Sequence, residues 1–317
     1  GDHQSGVLAY GGGAYFIRDV GLKNWSENSL SLTMAGKIGQ RTDGAVSDVV
    51  FSPSYSGDKT FFVANEHELI KTVDDGENWT RVKIQRPLIL KIRQKLNYYL
   101  REIGISYPLR AKLLGDFPLT PGWSTYAAIS PDYKKDGTVF FGTQGIGQCM
   151  SSDHGKTCSV IFNTTNQPTT SIVVSPEFSK DKTLFIAIDN RPPFKGHQKK
   201  GVYLTEDSGK TFKKCDRGLD TLGKINLVIS PEYHTDNTLL AGTAGGLFIS
   251  KDRGRTWKRT GEKGLPEKAK ILFLAISPDF GNDGTVVLGC KGKGIFKSTD
   301  NGRSFSAIGV HLIRDNE

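Results

Sequence analysis

The 317-residue chain contains no run of 18 apolar residues, so no segment reads as a membrane-spanning helix. Cysteine is scarce, at four residues, and no Cys/His spacing resembles a metal site. No cofactor-binding signature is present either. The formal charge is +9, yet no nucleic-acid-reading motif occurs and the basic residues are not regularly interleaved with aromatics, which argues against a nucleic-acid partner. Cys149 and Cys158 flank one hairpin, where a disulfide and two buried thiols are both compatible with the spacing. Cys215 and Cys290 fall in different repeats and are expected to be unpaired. The chain begins GDHQSG without Met, so a signal peptide or another N-terminal part is expected to have been removed.

What the chain does have is 37 glycines and a two-part repeat. Five times it reads Ser/Thr-x-Asp-x-Gly-x-Thr-aromatic or a close variant: TVDDGENW (72–79), SSDHGKTC (151–158), TEDSGKTF (205–212), SKDRGRTW (250–257) and STDNGRSF (298–305). Upstream of each lies Ser-Pro-x-aromatic-x-x-Asp-x-Thr, starting at Ser52, Ser130, Ser175, Ser230 and Ser277. Two signatures recurring together identify a repeat architecture before any single residue is interpreted.

Each unit reads as four short strands. In the copy starting near Asn226 they are expected at Asn226–Ile229, 238–241, Gly246–Ser250 and 256–259. The runs are β-branched and aromatic, separated by Gly, Pro, Asp and Asn. Four strands in about 45 residues make one propeller blade. The second signature is then the hairpin turn between the third and fourth strands, where Asp bonds turn amides and Gly supplies a positive φ. On this reading Asp74, Asp153, Asp207, Asp252 and Asp300 are structural. So are Asp58, Asp136, Asp181, Asp236 and Asp283 of the Ser-Pro signature.

These motifs resemble the BNR or Asp-box repeat of sialidase-like and sortilin-type β-propellers, over nearly the whole chain. The resemblance implies an all-β, single-domain propeller across 1–317 and, since most such propellers work outside the cytoplasm, an extracytoplasmic setting: periplasmic, cell-surface or secreted. The Ser-Pro starts are spaced by 78, 45, 55 and 47 residues. Five full units and a degenerate N-terminal one, with Asp19, Gly21 and Trp25, predict six blades. The alternative is part of a seven-bladed or larger ring.

Charge is not spread evenly. The 78-residue spacing contains a basic insertion between blades, 85–120, of net charge +5. Ile89, Ile92, Leu96, Leu100 and Ile103 recur at helical spacing within it, Gly104 and Pro108 end the helix, and LRAKLLG (109–115) suggests a second short one. A second insertion, the loop 189–200, carries +3, so the two hold +8 of the chain's +9. Both belong to the face opposite the Asp-Gly turns. Three outcomes fit the helix: its apolar stripe packs on the propeller, it contacts a partner protein, or it lies on a membrane surface, where Tyr98 and Tyr99 would suit headgroups. Lys91, Arg93, Lys95, Tyr98, Tyr99, Arg101, Arg191, Lys195, Lys199 and Lys200 are the candidate partner-binding residues.

A ring of variable positions supplies the other candidate site. Four residues before each Ser-Pro stand Asp48, Tyr126, Ser171, Asn226 and Phe273, whereas the next column (Val49, Ala127, Ile172, Leu227, Leu274) is uniformly apolar. First strands line a propeller's channel, so this ring is expected at its insertion-bearing mouth as a ligand site, with Trp123 and Tyr126 available to stack on a glycan.

The sialidase resemblance also implies an arginine triad, a Tyr–Glu nucleophile pair and an Asp acid/base, and the chain departs from all of these. Its nearest text to the Arg-Ile-Pro motif is YFIRD (15–19). No ring position is Arg, and Asp48 is the ring's one acid. A glycosidase needs a second carboxylate beside it, for which only Glu66 and Glu68 are near. The reading is therefore a non-catalytic scaffold binding a partner protein or an anionic surface through its basic face. The alternatives are a glycan-active enzyme using Asp48 and a glycan-binding module.

Overall fold

The computed structural model describes residues 6–10, 13–17, 46–65, 68–85, 88–106, 109, 113, 124–143, 147–164, 167–189, 200–219, 223–267 and 269–308. The chain divides into two compact units, Gly1–Pro168 and Thr169–Glu317.

In the first unit a hairpin, β1 (Gly6–Tyr10) and β2 (Gly13–Ile17), precedes the first complete blade, β3 (Val46–Phe51), β4 (Phe61–Asn65), β5 (Leu69–Thr72) and β6 (Thr80–Arg81). After β7 (Lys83–Gln85) comes the insertion helix, and then the second blade: β8 (Ser124–Ile129), β9 (Val139–Thr143), β10 (Gly147–Ser151) and β11 (Thr157–Phe162). The second unit holds three more blades. The third is β12 (Thr169–Val174), β13 (Leu184–Ile188), β14 (Gly201–Thr205) and β15 (Lys213–Lys214). The fourth is β16 (Asn226–Ile229), β17 (Leu239–Thr243), β18 (Gly246–Ser250) and β19 (Lys258–Thr260). The fifth is β20 (Ile271–Ile276), β21 (Val286–Cys290), β22 (Gly294–Ser298) and β23 (Ser306–Ile308). Every blade is an antiparallel meander in chain order, as expected of a β-propeller, and β7 adds a fifth strand to the second by pairing parallel with β11.

The Ser-Pro signature builds more than a turn. Each copy folds its central four residues into a single helical turn: α1 (Tyr55–Asp58) in the first blade, and Tyr133–Asp136, Phe178–Asp181, Tyr233–Asp236 and Phe280–Asp283 in the others. The Ser hydroxyl donates to the Asp carboxylate at 2.5–2.6 Å in all five. The closing Thr amide donates to the same carboxylate at 2.7–2.9 Å. The Asp thus clamps the start and end of the turn together. The turn's aromatic is buried in four copies, Tyr133, Phe178, Tyr233 and Phe280.

The Asp-Gly turns are equally regular. The leading Ser or Thr hydroxyl donates to the Asp at 2.7–2.8 Å. It also accepts the Gly amide at 2.8–3.0 Å. Four residues after the Asp, a side chain donates to its second oxygen at 2.5–2.7 Å; Asn78 replaces the hydroxyl in the first copy. The residue after each Asp has φ between 58 and 62°, a conformation that hydrogen bonds must hold in place for a non-glycine residue. Its amide donates to a carbonyl of the Ser-Pro turn in all five blades, so the two signatures meet on one edge of each sheet.

Neighbouring blades interlock through the same motif. A Cβ on Gly155 would lie 2.5 Å from the Phe62 ring of the preceding blade, and one on Gly254 would lie 2.9 Å from Phe185. Phe62, Tyr133 and Cys158 share one core cluster, and Phe185, Tyr233 and Trp257 another. The four cysteines are buried and form no disulfide. Cys149 pairs across its hairpin with Val160, two residues away from Cys158.

Candidate functional site

The variable ring begins at the edge of each sheet opposite the Asp-Gly turns. In four blades the first strand shifts register immediately before the ring residue, between Val46 and Asp48, Ser124 and Tyr126, Thr169 and Ser171, and Ile271 and Phe273. A bulge of this kind redirects the side chain that follows it.

Three ring residues bond the next blade. The Asp48 carboxylate accepts the amide of its own neighbour Val49 at 2.9 Å and that of Ala127 on β8 at 2.8 Å. The Ser171 hydroxyl accepts the Leu227 amide on β16 at 3.2 Å, and beside it the Thr170 hydroxyl donates to the Ile225 carbonyl at 2.9 Å. The Asn226 side-chain amide donates to the Ile271 carbonyl on β20 at 3.3 Å. First strands are not in one ladder, so their buried backbone groups need such partners. The variety at this position is the variety of polar groups that can span two blades. The other two positions differ. Tyr126 is half-buried opposite Gly142. Phe273 is 42% exposed, its ring lying against Gly289, where a Cβ would come within 2.0 Å of it. Trp123 lies outside the described residues.

The two carboxylates offered for glycosidase chemistry are not poised together. Asp48 spans two strands as above, and Glu68 pairs with Arg81 at 2.7 Å. Glu66 lies outside the described residues. Among the described residues no cluster of His, Cys, Asp and Glu is arranged to hold a metal ion.

The insertion helix, α2, runs over Leu88–Glu102. Its sequence has no acid in the first turn and a basic residue, Arg101, in the last, which suits the helix dipole at the C-terminus. Gly104, at φ 79°, follows its end. Of the stripe, Ile92, Leu96 and Ile103 are 51, 44 and 71% exposed, Leu100 is half-buried, and the side chain of Ile89 lies outside the described residues. Tyr99, on the same side as Ile92, Leu96 and Ile103 by helical spacing, is 54% exposed. Tyr98 is exposed beside Tyr99, with ring centroids 5.8 Å apart, and Lys95 and Arg101 are exposed on the same helix. Lys91 and Arg93 also lie on α2. Of the proposed second helix, Leu109 and Leu113 are described and exposed. Arg191, Lys195 and Lys199 lie outside the described residues; Lys200, entering β14, is half-buried. Among the described residues no helix is long and apolar enough to cross a membrane.

Sequence reasoning passed over one feature of this edge. Two adjoining cavities of about 280 and 300 Å³ lie between the fourth and fifth blades, both lined by Pro266, Glu267 and Ala269. The first also has Lys270, Lys291 and Lys293 in its wall. The signal was KGKG (291–294), an isolated basic turn in an otherwise neutral frame.

No family model and no curated sequence matches the chain. Solved structures do resemble it. A structure of YCF48 bound to D1 peptide aligns with a TM-score of 0.60 at 14% identity, over 99% of this chain and 80% of that one. PorZ, a surface component of the type-IX secretion system of Porphyromonas gingivalis, aligns with a TM-score of 0.64 at 13% identity, over 96% of this chain and 40% of its own. The extracellular domain assigned to a one-component system of B. thetaiotaomicron aligns at 0.54 and 14% identity, over 96% of this chain and 33% of its own. At these identities the likeness shows the fold, a β-propeller.

Proposed function

We propose that the chain is a non-catalytic, extracytoplasmic propeller scaffold that docks a partner protein through α2. The observation that carries this is the exposed stripe Ile92, Leu96, Tyr99 and Ile103, flanked by Tyr98, Lys95 and Arg101. Apolar residues at helical spacing left in water mark an interaction face. Tyrosine and arginine are the residue types that dominate protein–protein contacts. The basic 85–120 and 189–200 segments would steer a partner with an acidic surface and make the association sensitive to salt. The peptide complex of YCF48 supports the partner class, and PorZ, a bacterial surface component, supports the location. The repeat count supports six blades of the Asp-box type.

The test is site-specific photo-crosslinking from position 98 in native envelope extract, compared between the intact chain and one carrying Leu96→Ser and Tyr99→Ser. One crosslinked protein, lost in the variant and weakened by added salt, is the expected result. Equal recovery by both forms would remove α2 as the docking element.

A further inference from the structure

The internal repeat provides its own control for the two cavities between the fourth and fifth blades. Where β20 and β21 begin and end, Ile271 pairs with Cys290, and the Lys291 amide donates to the Lys270 carbonyl at 2.9 Å. Lys270 and Lys291 are therefore directly opposed, and Lys293 follows after Gly292, whose φ of 63° turns the chain back. All three lysines are exposed at the cavity. Like charges facing each other across two strands weaken the pair, so the frame gains nothing from this arrangement. At the matching place the fourth blade has Gly223 and Ala244, with the exposed Lys224 next along the strand. The third has Asp189 following β13. Neither of these two blades sets two lysines directly opposite each other at this corner.

The second cavity adds a different chemistry. Leu247, Leu265 and Pro266 line it together with Arg259, whose guanidinium is 3.8 Å from Glu262. The two cavities thus join a cationic end to one of mixed chemistry, where Leu265 and Pro266 stand beside Arg259, Thr260 and Glu262, with Glu267 at the shared wall. Three lysines lining one small space call for a multiply charged oxyanion rather than a single carboxylate, and the Leu265 and Pro266 wall beside it accommodates a compact apolar body.

We propose that this groove binds a small phosphomonoester, its phosphate held by Lys270, Lys291 and Lys293 and its apolar body seated on Leu265 and Pro266. The site belongs to the second unit alone and does not involve α2, so replacing the insertion leaves it intact. Calorimetric titration of the full chain at low salt with phenyl phosphate, inorganic phosphate and phenylacetate tests it. Phenyl phosphate is expected to bind saturably and more tightly than either of the others. The double substitution Lys291→Ser and Lys293→Ser is expected to weaken it at least tenfold, and Lys210→Ser, at an exposed turn of the third blade, to leave it unchanged. Saturable heat from none of the three compounds, equal affinity in the double variant, or equal binding of phenylacetate would each overturn the assignment.

Discussion

The Asp-Gly edge of the blades and the insertion helix solve opposite problems with the same twenty residue types. On the edge, five copies of one hydrogen-bond pattern satisfy a carboxylate with two hydroxyl or amide side chains and a backbone amide, within 0.1–0.2 Å from copy to copy. Little on that edge is left for a partner to bond. On α2, Ile92, Leu96 and Tyr99, at helical spacing, are left in water. Regularity marks where the chain holds itself together; departure from regularity marks where it is free to hold something else.

Substitutions that cut into one region and spare the other sharpen that contrast. The largest effect is expected from Phe62→Ala. Phe62 is fully buried, packs against Tyr133 of the next blade and seats Gly155. Its loss should lower unfolding free energy by about 3–5 kcal/mol, measured by urea denaturation. Asp181→Ala comes next. It orphans the Ser175 hydroxyl and the Thr183 amide, and a loss of about 2 kcal/mol is expected in the same assay.

Acid should weaken the frame through the turn carboxylates. Asp207 is held at about 2, first by the Thr211 hydroxyl, then by the Thr211 amide and the Thr205 hydroxyl. Asp153 also lies at about 2: burial pushes it up, and bonds from Thr157, Ser151 and Lys156 together outweigh that. A carboxyl depressed in the folded state adds stability above its unfolded value of 3.8, and that stability is lost as pH falls towards 2. Asp207→Asn should therefore be less stable than the parent at about pH 6, with the gap narrowing by about pH 3, as urea midpoints would show. The smallest stability effect is expected from the pair Ile92→Ser and Leu96→Ser, within about 0.5 kcal/mol, because neither side chain is buried. If that pair instead destabilised the chain by several times as much, α2 would be part of the frame and the contrast would fail.

How much of this was legible in the sequence follows the same division. The strand limits at Asn226–Ile229 and Gly246–Ser250 match expectation, because Gly, Ser-Pro and the Asp signature punctuate them. Both sets of repeating Asp residues make the same turn bonds in every copy. The parallel pairing of β7 with β11 was not legible, since nothing in KIQ names a partner 74 residues further on. The work of Asp48, Ser171 and Asn226 was hidden for a similar reason: a polar residue in an apolar column looks equally like a ligand contact and a tie to the next strand until both strands are placed. Helical periodicity located α2 but carried no information on whether its stripe would be covered. The degenerate N-terminal unit yields β1 and β2, while Asp19, Gly21 and Trp25 lie outside the described residues.

The four buried thiols give the molecule a built-in clock. Cys149 and Cys158 sit in the second blade, Cys215 follows β15 of the third, and Cys290 ends β21 of the fifth, each no more than 6% exposed. Burial also raises the Cys215 and Cys290 thiols above their ordinary range, so little reactive thiolate exists while they are enclosed. An alkylating reagent can reach each sulfur only during an opening of the sheet around it. The rates at which the four are consumed under native conditions would therefore rank the second, third and fifth blades by how often each one comes apart.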